Sequence, residues 1–325
     1  MTPKETFEAA LRREPIQGHV PHFELVMFLT MEAVGRIHPC HRDYSQWYQM
    51  SRAERRLHLV DMAKAYIEVA DKYHHSAIFV HPKPGPTGEL PTDIEATREI
   101  LETIRELSGD TYSLMIHGDP TYPIPTGDTM MEFSTMMYEE PEKIHEGTKR
   151  QVEFCHKLCD ELMKHKGLLD GWALCSDYCF NVNPFYSRDM FAEFVQPYLK
   201  EICEYYHANN TYVIKHTDGN VMPILDMIVD CKPDAVHSLD PQGGVSLAEA
   251  KRLYGDRVCL IGNVNCGKMQ TGTEEELVED VRRALREGMP GYGYIFSTSN
   301  CAFTGLELKR YELMNKIWWE EGIYQ

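Results

Sequence analysis

The chain has 325 residues, enough for one large domain or two ordinary ones, and 43% of them are apolar, enough for a sizeable core. Its 50 acidic residues against 33 basic ones give a formal net charge of −17, a surface that repels phosphate backbones and argues against a nucleic-acid partner. There is no run of about 18 apolar residues, and "MTPKETFEAALRREP" has no apolar signal core, so neither a membrane span nor secretion is expected and the cytoplasm is the expected location.

In chain order, short apolar runs read as strands: "VPHFEL" (20–25), "SAIFVH" (76–81), "YSLMIHG" (112–118), "GWALCSD" (171–177), "TYVIKH" (211–216), "DAVHSLD" (234–240), "RVCLIGN" (257–263) and "YGYIFST" (292–298). Between them, stretches such as "RAERRLHLVDMAKAYIEVADKY", "DIEATREILETIREL", "EKIHEGTKRQVEFCHKLCDELMKH", "RDMFAEFVQPYLKEICEYYHANN" and "EEELVEDVRRALREG" repeat apolar residues at helical spacing. Eight strands alternating with helices predict an α/β fold, a (β/α)8 TIM barrel, as a single domain over 1–325 with an N-terminal helical extension. A doubly wound sheet is the alternative, but "ELVMFLTMEAVGR" lacks the Gly-rich turn expected after its first strand. The Pro-rich stretches "HPKPGPTGELP" (81–91) and "DPTYPIPTGD" (119–128) read as stiff loops at the barrel mouth, or as loops and nothing more. The 10 cysteines are dispersed, which argues against a disulfide framework, and Cys155, His156 and Cys159 read as helix packing.

Active sites of such barrels form where strands end. The predicted ends carry Glu24, His81, His117 with Asp119, Asp177, His216 with Asp218, His237 with Asp240, Asn263, and Cys301 just past the last. His216 and Asp218 stand at i, i+2 and share one face of an extended segment. An imidazole and a carboxylate so placed suit Zn2+, with Cys301 and Glu24 as further ligands from across the barrel. Spacing alone equally admits His216 as a structural donor and Asp218 as a helix cap.

The segments "SDYCFNVNPFYSRDMFAEFVQPYLKEI", "HTDGN", "LAEAKRLYGDRVCLIGNVN", "GTEEELVEDVRRAL" and "GYIFSTSNC" resemble the uroporphyrinogen decarboxylase superfamily, most closely over the C-terminal half. The resemblance implies the same barrel and one of two chemistries: cofactor-free decarboxylation, or zinc-dependent methyl transfer involving a corrinoid (cobalamin) carried by a partner protein. The decarboxylase branch carries an R-Q-A-G-R-Y-L-P motif for its polycarboxylate. The nearest match, "EAVGRIHP" (32–39), has Glu32 at the first Arg position. The methyltransferase branch carries H-x-C and a distal Cys. His216 and Cys301 fit two of these positions, and Asp218 replaces the middle Cys.

A carboxylate in place of thiolate makes zinc a better Lewis acid towards oxygen. The resemblance therefore implies transfer from an O-methyl donor to Co(I), as in the first component of an O-demethylase. His237 or Asp177 would act as the acid, and His117, Asp119, Tyr122, Tyr178, Phe185 and Asn263 would hold a flat methoxylated substrate. Methyl transfer from a methylcobamide to a thiol, and a metal-free decarboxylase or tetrapyrrole-binding barrel, are the alternatives. A homodimer stays open.

Overall fold

The computed structural model describes residues 1–81, 90 and 93–324, so most of the expected loop at 81–91 lies outside the described residues. Its strands are β1 Gly18–His19, β2 Ala77–Phe79, β3 Ser113–His117, β4 Gly171–Leu174, β5 Tyr212–Thr217, β6 Ala235–Ser238, β7 Cys259–Ile261, β8 Tyr294–Ile295 and β9 Ile323–Tyr324. β2 to β8 form one parallel sheet of seven strands in sequence order, curled as in a TIM barrel, while β1 and β9 pair antiparallel.

The first predicted strand, 20–25, does not form a ladder. Only His22 bridges, to His75 on one side and to Phe296 on the other. Pro21 explains part of this: it accepts from the Phe296 N–H at 2.9 Å but has no N–H to return. The architecture is therefore a TIM-barrel-like sheet of seven laddered strands, not the eight-stranded ladder expected.

The helices follow the predicted periodicity, with Arg52–Tyr73 and Glu274–Gly288 matching the expected segments end to end. The stretch read as one helix over 188–210 is two, Arg188–Phe194 and Gln196–Ala208. Pro197 has no N–H with which to continue the first helix.

Strand alternation separates two apolar layers. Ala77, Phe79, Met115, Ala173, Ile214, Ala235, Cys259, Ile261 and Ile295 point inward and pack with Phe7, Ala10 and Leu11 of the N-terminal helix Pro3–Leu11. Their neighbours Ile78, Leu114, Ile116, Trp172, Leu174, Val213, Val236 and Leu260 point outward into the helical layer.

One outward position carries a charge. Lys215 is fully buried, and its Nζ donates to Asp119 Oδ2 at 2.7 Å and to the carbonyls of Ser176 (2.8 Å) and Leu174 (3.2 Å), 4.1 Å from the centroid of the Tyr178 ring. Asp119 also accepts from the N–H groups of Thr121 (2.9 Å) and Ser176 (3.0 Å), while the Thr121 hydroxyl bonds Tyr178 Oη at 2.6 Å. Three strand ends are thus tied together behind the sheet.

Removing one member of a buried pair leaves the other uncompensated. Lys215→Met is expected to lose about 3–5 kcal/mol in urea unfolding, with partial recovery in Lys215→Met/Asp119→Leu. Burial alone would raise the Asp119 carboxyl, but the Lys215 ammonium and the bonds from Lys215 and Thr121 outweigh it and hold the group at about 2. The folded value thus lies below the unfolded one of about 3.9. The associated stability is present above that value and is lost as pH falls towards 2, so Asp119→Asn is expected to lose less stability on acidification than the wild type.

Candidate functional site

The inward residues beyond the apolar layer are polar. Asp177 follows β4, His216 lies on β5, Asp218 follows it, and His237 lies on β6, directly paired with His216. His216 Nε2 stands 3.6 Å from Asp177 Oδ1 and 3.7 Å from Asp218 Oδ1, and one donor atom from each of the three lies within 4.8 Å of the others. Those separations are too long for hydrogen bonds. They match donor atoms placed around a tetrahedral ion at zinc–ligand distances of about 2.0–2.2 Å, which would stand about 3.4 Å apart.

Local sequence builds this cluster. Gly219 takes a positive φ of 76°, and a Cβ there would meet the carbonyl oxygens of Phe180 (2.5 Å) and Cys179 (2.6 Å). Only glycine lets the β5 loop lie this close to the β4 loop. Tyr178 N–H donates to Thr217 Oγ1 at 2.9 Å and Asp218 N–H to Asp177 Oδ1 at 2.9 Å, joining the same two loops. Asp218 is held further by the Ser238 hydroxyl at 2.8 Å and by the Asn300 amide. Burial first, and the neighbouring Asp177 carboxylate next among the raising effects, push the Asp218 carboxyl up to about 6 against the opposing pull of His216 and Ser238.

Behind the cluster, His216 Nδ1 and His237 Nδ1 are 2.8 Å apart, so one proton lies between them. For His216 Nε2 to ligate an ion, that proton must lie on His216 Nδ1 and be donated to His237. His237 is fully buried and is pushed well below the ordinary histidine range by burial and by His216. Its Nε2 meets the Ser297 hydroxyl at 3.4 Å. That hydroxyl lies 3.4 Å from Glu24 Oε2, which also accepts from Thr298 Oγ1 at 2.6 Å, while Glu24 Oε1 accepts from Thr298 N–H at 3.2 Å.

Of the four expected metal ligands, His216 and Asp218 come together. Asp177 joins them in place of Glu24 and Cys301, which fall outside that group. Glu24 is buried with both oxygens engaged. Cys301 follows the eighth predicted strand, and its thiol is raised by burial, then by Cys266, Glu24 and Asp218. His237, expected as an acid, instead backs His216.

The expected substrate contacts divide. His117 Nδ1 lies 3.2 Å from the Ala173 carbonyl, to which it must donate, leaving Nε2 as an acceptor. Asp119 and Tyr178 belong to the Lys215 cluster on the other face. Asn263 is buried, donating to the Leu239 carbonyl at 2.7 Å and accepting from Arg283 at 3.0 Å. Tyr122 packs edge-on to Phe133 (5.4 Å), and Phe185 packs against Tyr186 (4.9 Å). Sequence reasoning passed over Lys215, Ser238 and Asn300. The signal for Lys215 was a lysine inside an apolar strand, one residue from the inward His216.

The profile of uroporphyrinogen decarboxylase (URO-D) matches residues 110–317. Among solved structures, the fold is similar to that of a methyltransferase from Methanosarcina mazei, at 17% identity, TM-score 0.73 and coverage of 98% of this chain and 99% of that one. It is also similar to a Listeria monocytogenes protein assigned as a vitamin-B12 independent methionine synthase, at 13% identity, TM-score 0.51 and coverage of 92% and 96%. No curated protein matches in sequence. With a match over well more than half its length, the chain belongs to the uroporphyrinogen decarboxylase family.

Proposed function

We propose that this chain is a zinc-dependent methyltransferase that moves a methyl group from an O-methyl substrate, a methoxylated aromatic ring or similar ether, to the Co(I) corrinoid of a partner protein. The observation that carries the reading is the Asp177–His216–Asp218 group. An imidazole nitrogen there faces two carboxylates at ligand spacing, with no hydrogen bond to either. The shared fold with a methyltransferase adds support. So does Arg36, the nearest match to the decarboxylase cation motif. Both Glu68 oxygens hold it (2.8 and 2.9 Å), and it also pairs with Asp61, which leaves it poorly placed to receive a polycarboxylate.

Asp177, His216 and Asp218 would hold the ion. When bound, zinc supplies a Lewis acid for the ether oxygen. The residues themselves fix the geometry. His237 accepts from His216 Nδ1–H and sets the tautomer that leaves Nε2 free. Ser238 and Asn300 orient Asp218. Were the methyl group to be passed to a partner's Co(I), the C–O electron pair would stay on oxygen. The resulting phenolate or alkoxide would take its proton from solvent, which reaches the mouth beside the 43% exposed Asp177 side chain.

Protein purified without an affinity metal is expected to carry about one zinc per chain by elemental analysis, lost in His216→Ala and Asp218→Ala. His237→Leu is expected to weaken zinc by roughly 10–100-fold. A methoxylated aromatic donor should then convert Co(I) corrinoid to its methylated form, read from the visible spectrum. Consumption of methylated corrinoid by a thiol, with no reaction from a panel of methyl ethers, would instead support the reverse transfer.

Zinc must displace the Asp218 proton. With that carboxyl at about 6, the Asp218 contribution to zinc affinity is expected to be constant above this pH and to fall about tenfold per unit below it. Chelator competition from about pH 5 to about pH 8 measures this. A profile unchanged in Asp218→Asn would remove Asp218 from the ligand set.

A further inference from the structure

Two residues past the paired Phe79 and Met115, on neighbouring strands β2 and β3, stand His81 and His117. Both continue the inward face that those residues define, and Val80 N–H donating to the Met115 carbonyl at 2.7 Å keeps the strands together there. His81 is only 7% exposed, and neither of its ring nitrogens has a hydrogen-bond partner among the described residues. The ring is nevertheless fixed. The His81 backbone N–H donates to Tyr66 Oη at 3.0 Å, and the imidazole stands edge-on to Phe79 (4.8 Å) and His38 (5.7 Å). A buried polar group that is held in place yet left unsatisfied is rare in a native fold and calls for an explanation.

We propose that His81 and His117 form a subsite for a neutral hydroxyl group on the substrate, which donates to His117 Nε2 and accepts from a His81 N–H. The proposal rests on the methyl-transfer reading and narrows its donor to a hydroxylated methyl ether. His117 is committed as an acceptor because its Nδ1 faces the Ala173 carbonyl. His81, without a partner at either ring nitrogen among the described residues, supplies the complementary donor. Burial first, with His117 adding, pushes His81 down to about 3. Burial likewise takes His117 to about 4, so neither imidazole is a cation at neutral pH. A carboxylate would find no positive charge here and would face Asp177 and Asp218 across the mouth. A methoxy group in place of the hydroxyl would leave His117 Nε2 without a donor.

The test is calorimetric binding of 2-methoxyphenol, 1,2-dimethoxybenzene and 2-methoxybenzoate to the full chain as purified. 2-Methoxyphenol is expected to bind about tenfold or more tighter than either analogue. His81→Leu and His117→Leu are each expected to abolish that preference without weakening 1,2-dimethoxybenzene. His81→Leu should also keep or raise the melting temperature, since it removes an unsatisfied buried group, whereas a structural histidine would lower it on removal. Equal affinities for the phenol and its dimethyl analogue, no binding of any probe, or a preference that survives in both variants would overturn the subsite. Phenol preference without Co(I) methylation would keep the subsite and remove methyl transfer. Methylation from both neutral donors alike would do the reverse.

Discussion

The buried Lys215–Asp119 pair fixes the site although it lies on the opposite face of the sheet. Lys215 joins the carbonyls of Leu174 and Ser176 to the Asp119 carboxylate, so the ends of β3, β4 and β5 are held at one level. In a strand, alternate residues face opposite ways. Anchoring Ser176, Tyr178, Lys215 and Thr217 outward therefore leaves Asp177, His216 and Asp218 inward. A slip of one residue in β5 would bury His216 among the helices and turn the ammonium into the mouth. The apolar layers alone specify the face of each strand, while the ion pair specifies how far each end projects.

The inward groups carry a cost that the outward ones do not. Asp177 and Asp218 converge, and the adjacent imidazole of His216 has its other nitrogen committed to His237. Burial raises the Asp218 carboxyl, and repulsion from Asp177 in so small a volume adds to it, against the larger pull of His216. A bound cation relieves that repulsion, and a polyanionic substrate would worsen it. Membership of the uroporphyrinogen decarboxylase family fixes the scaffold, but the charge of this mouth argues against the substrate class that gives the family its name.

Much of this was legible in the sequence where periodicity controls structure. The laddered strands β2 to β8 fall on the predicted runs, and strand-end reasoning singled out His216, Asp218 and Asp177 before any geometry was known. Position 20–25 misled because its composition is strand-like while Pro21 removes a donor that a ladder would need. The helix at 188–210 misled because amphipathic spacing continues across Pro197. Roles were harder to read than places. Asp119, Tyr178 and Asn263 lie at strand ends as expected, yet their polar atoms are taken up by Lys215, Thr121, Leu239 and Arg283. Which atom a side chain meets depends on contacts between distant segments, such as Asn300 on Asp218 or Lys215 on Asp119, and no local pattern encodes these.

Glu24 shows how the seam in the sheet and the site depend on each other. The backbone ladder thins to one bridge on each side of His22 where 20–25 passes between β8 and His75. Side chains take over there: Glu24 accepts from the Thr298 N–H and hydroxyl, and it sits beside Ser297, the residue that meets His237. The orientation of His216 thus runs back through His237 and Ser297 to a carboxylate on the one segment that the sheet does not ladder. The glutamate expected as a metal ligand is held here by Thr298. Drawing it to an ion would release Thr298 and loosen the support of the imidazole that the ion needs.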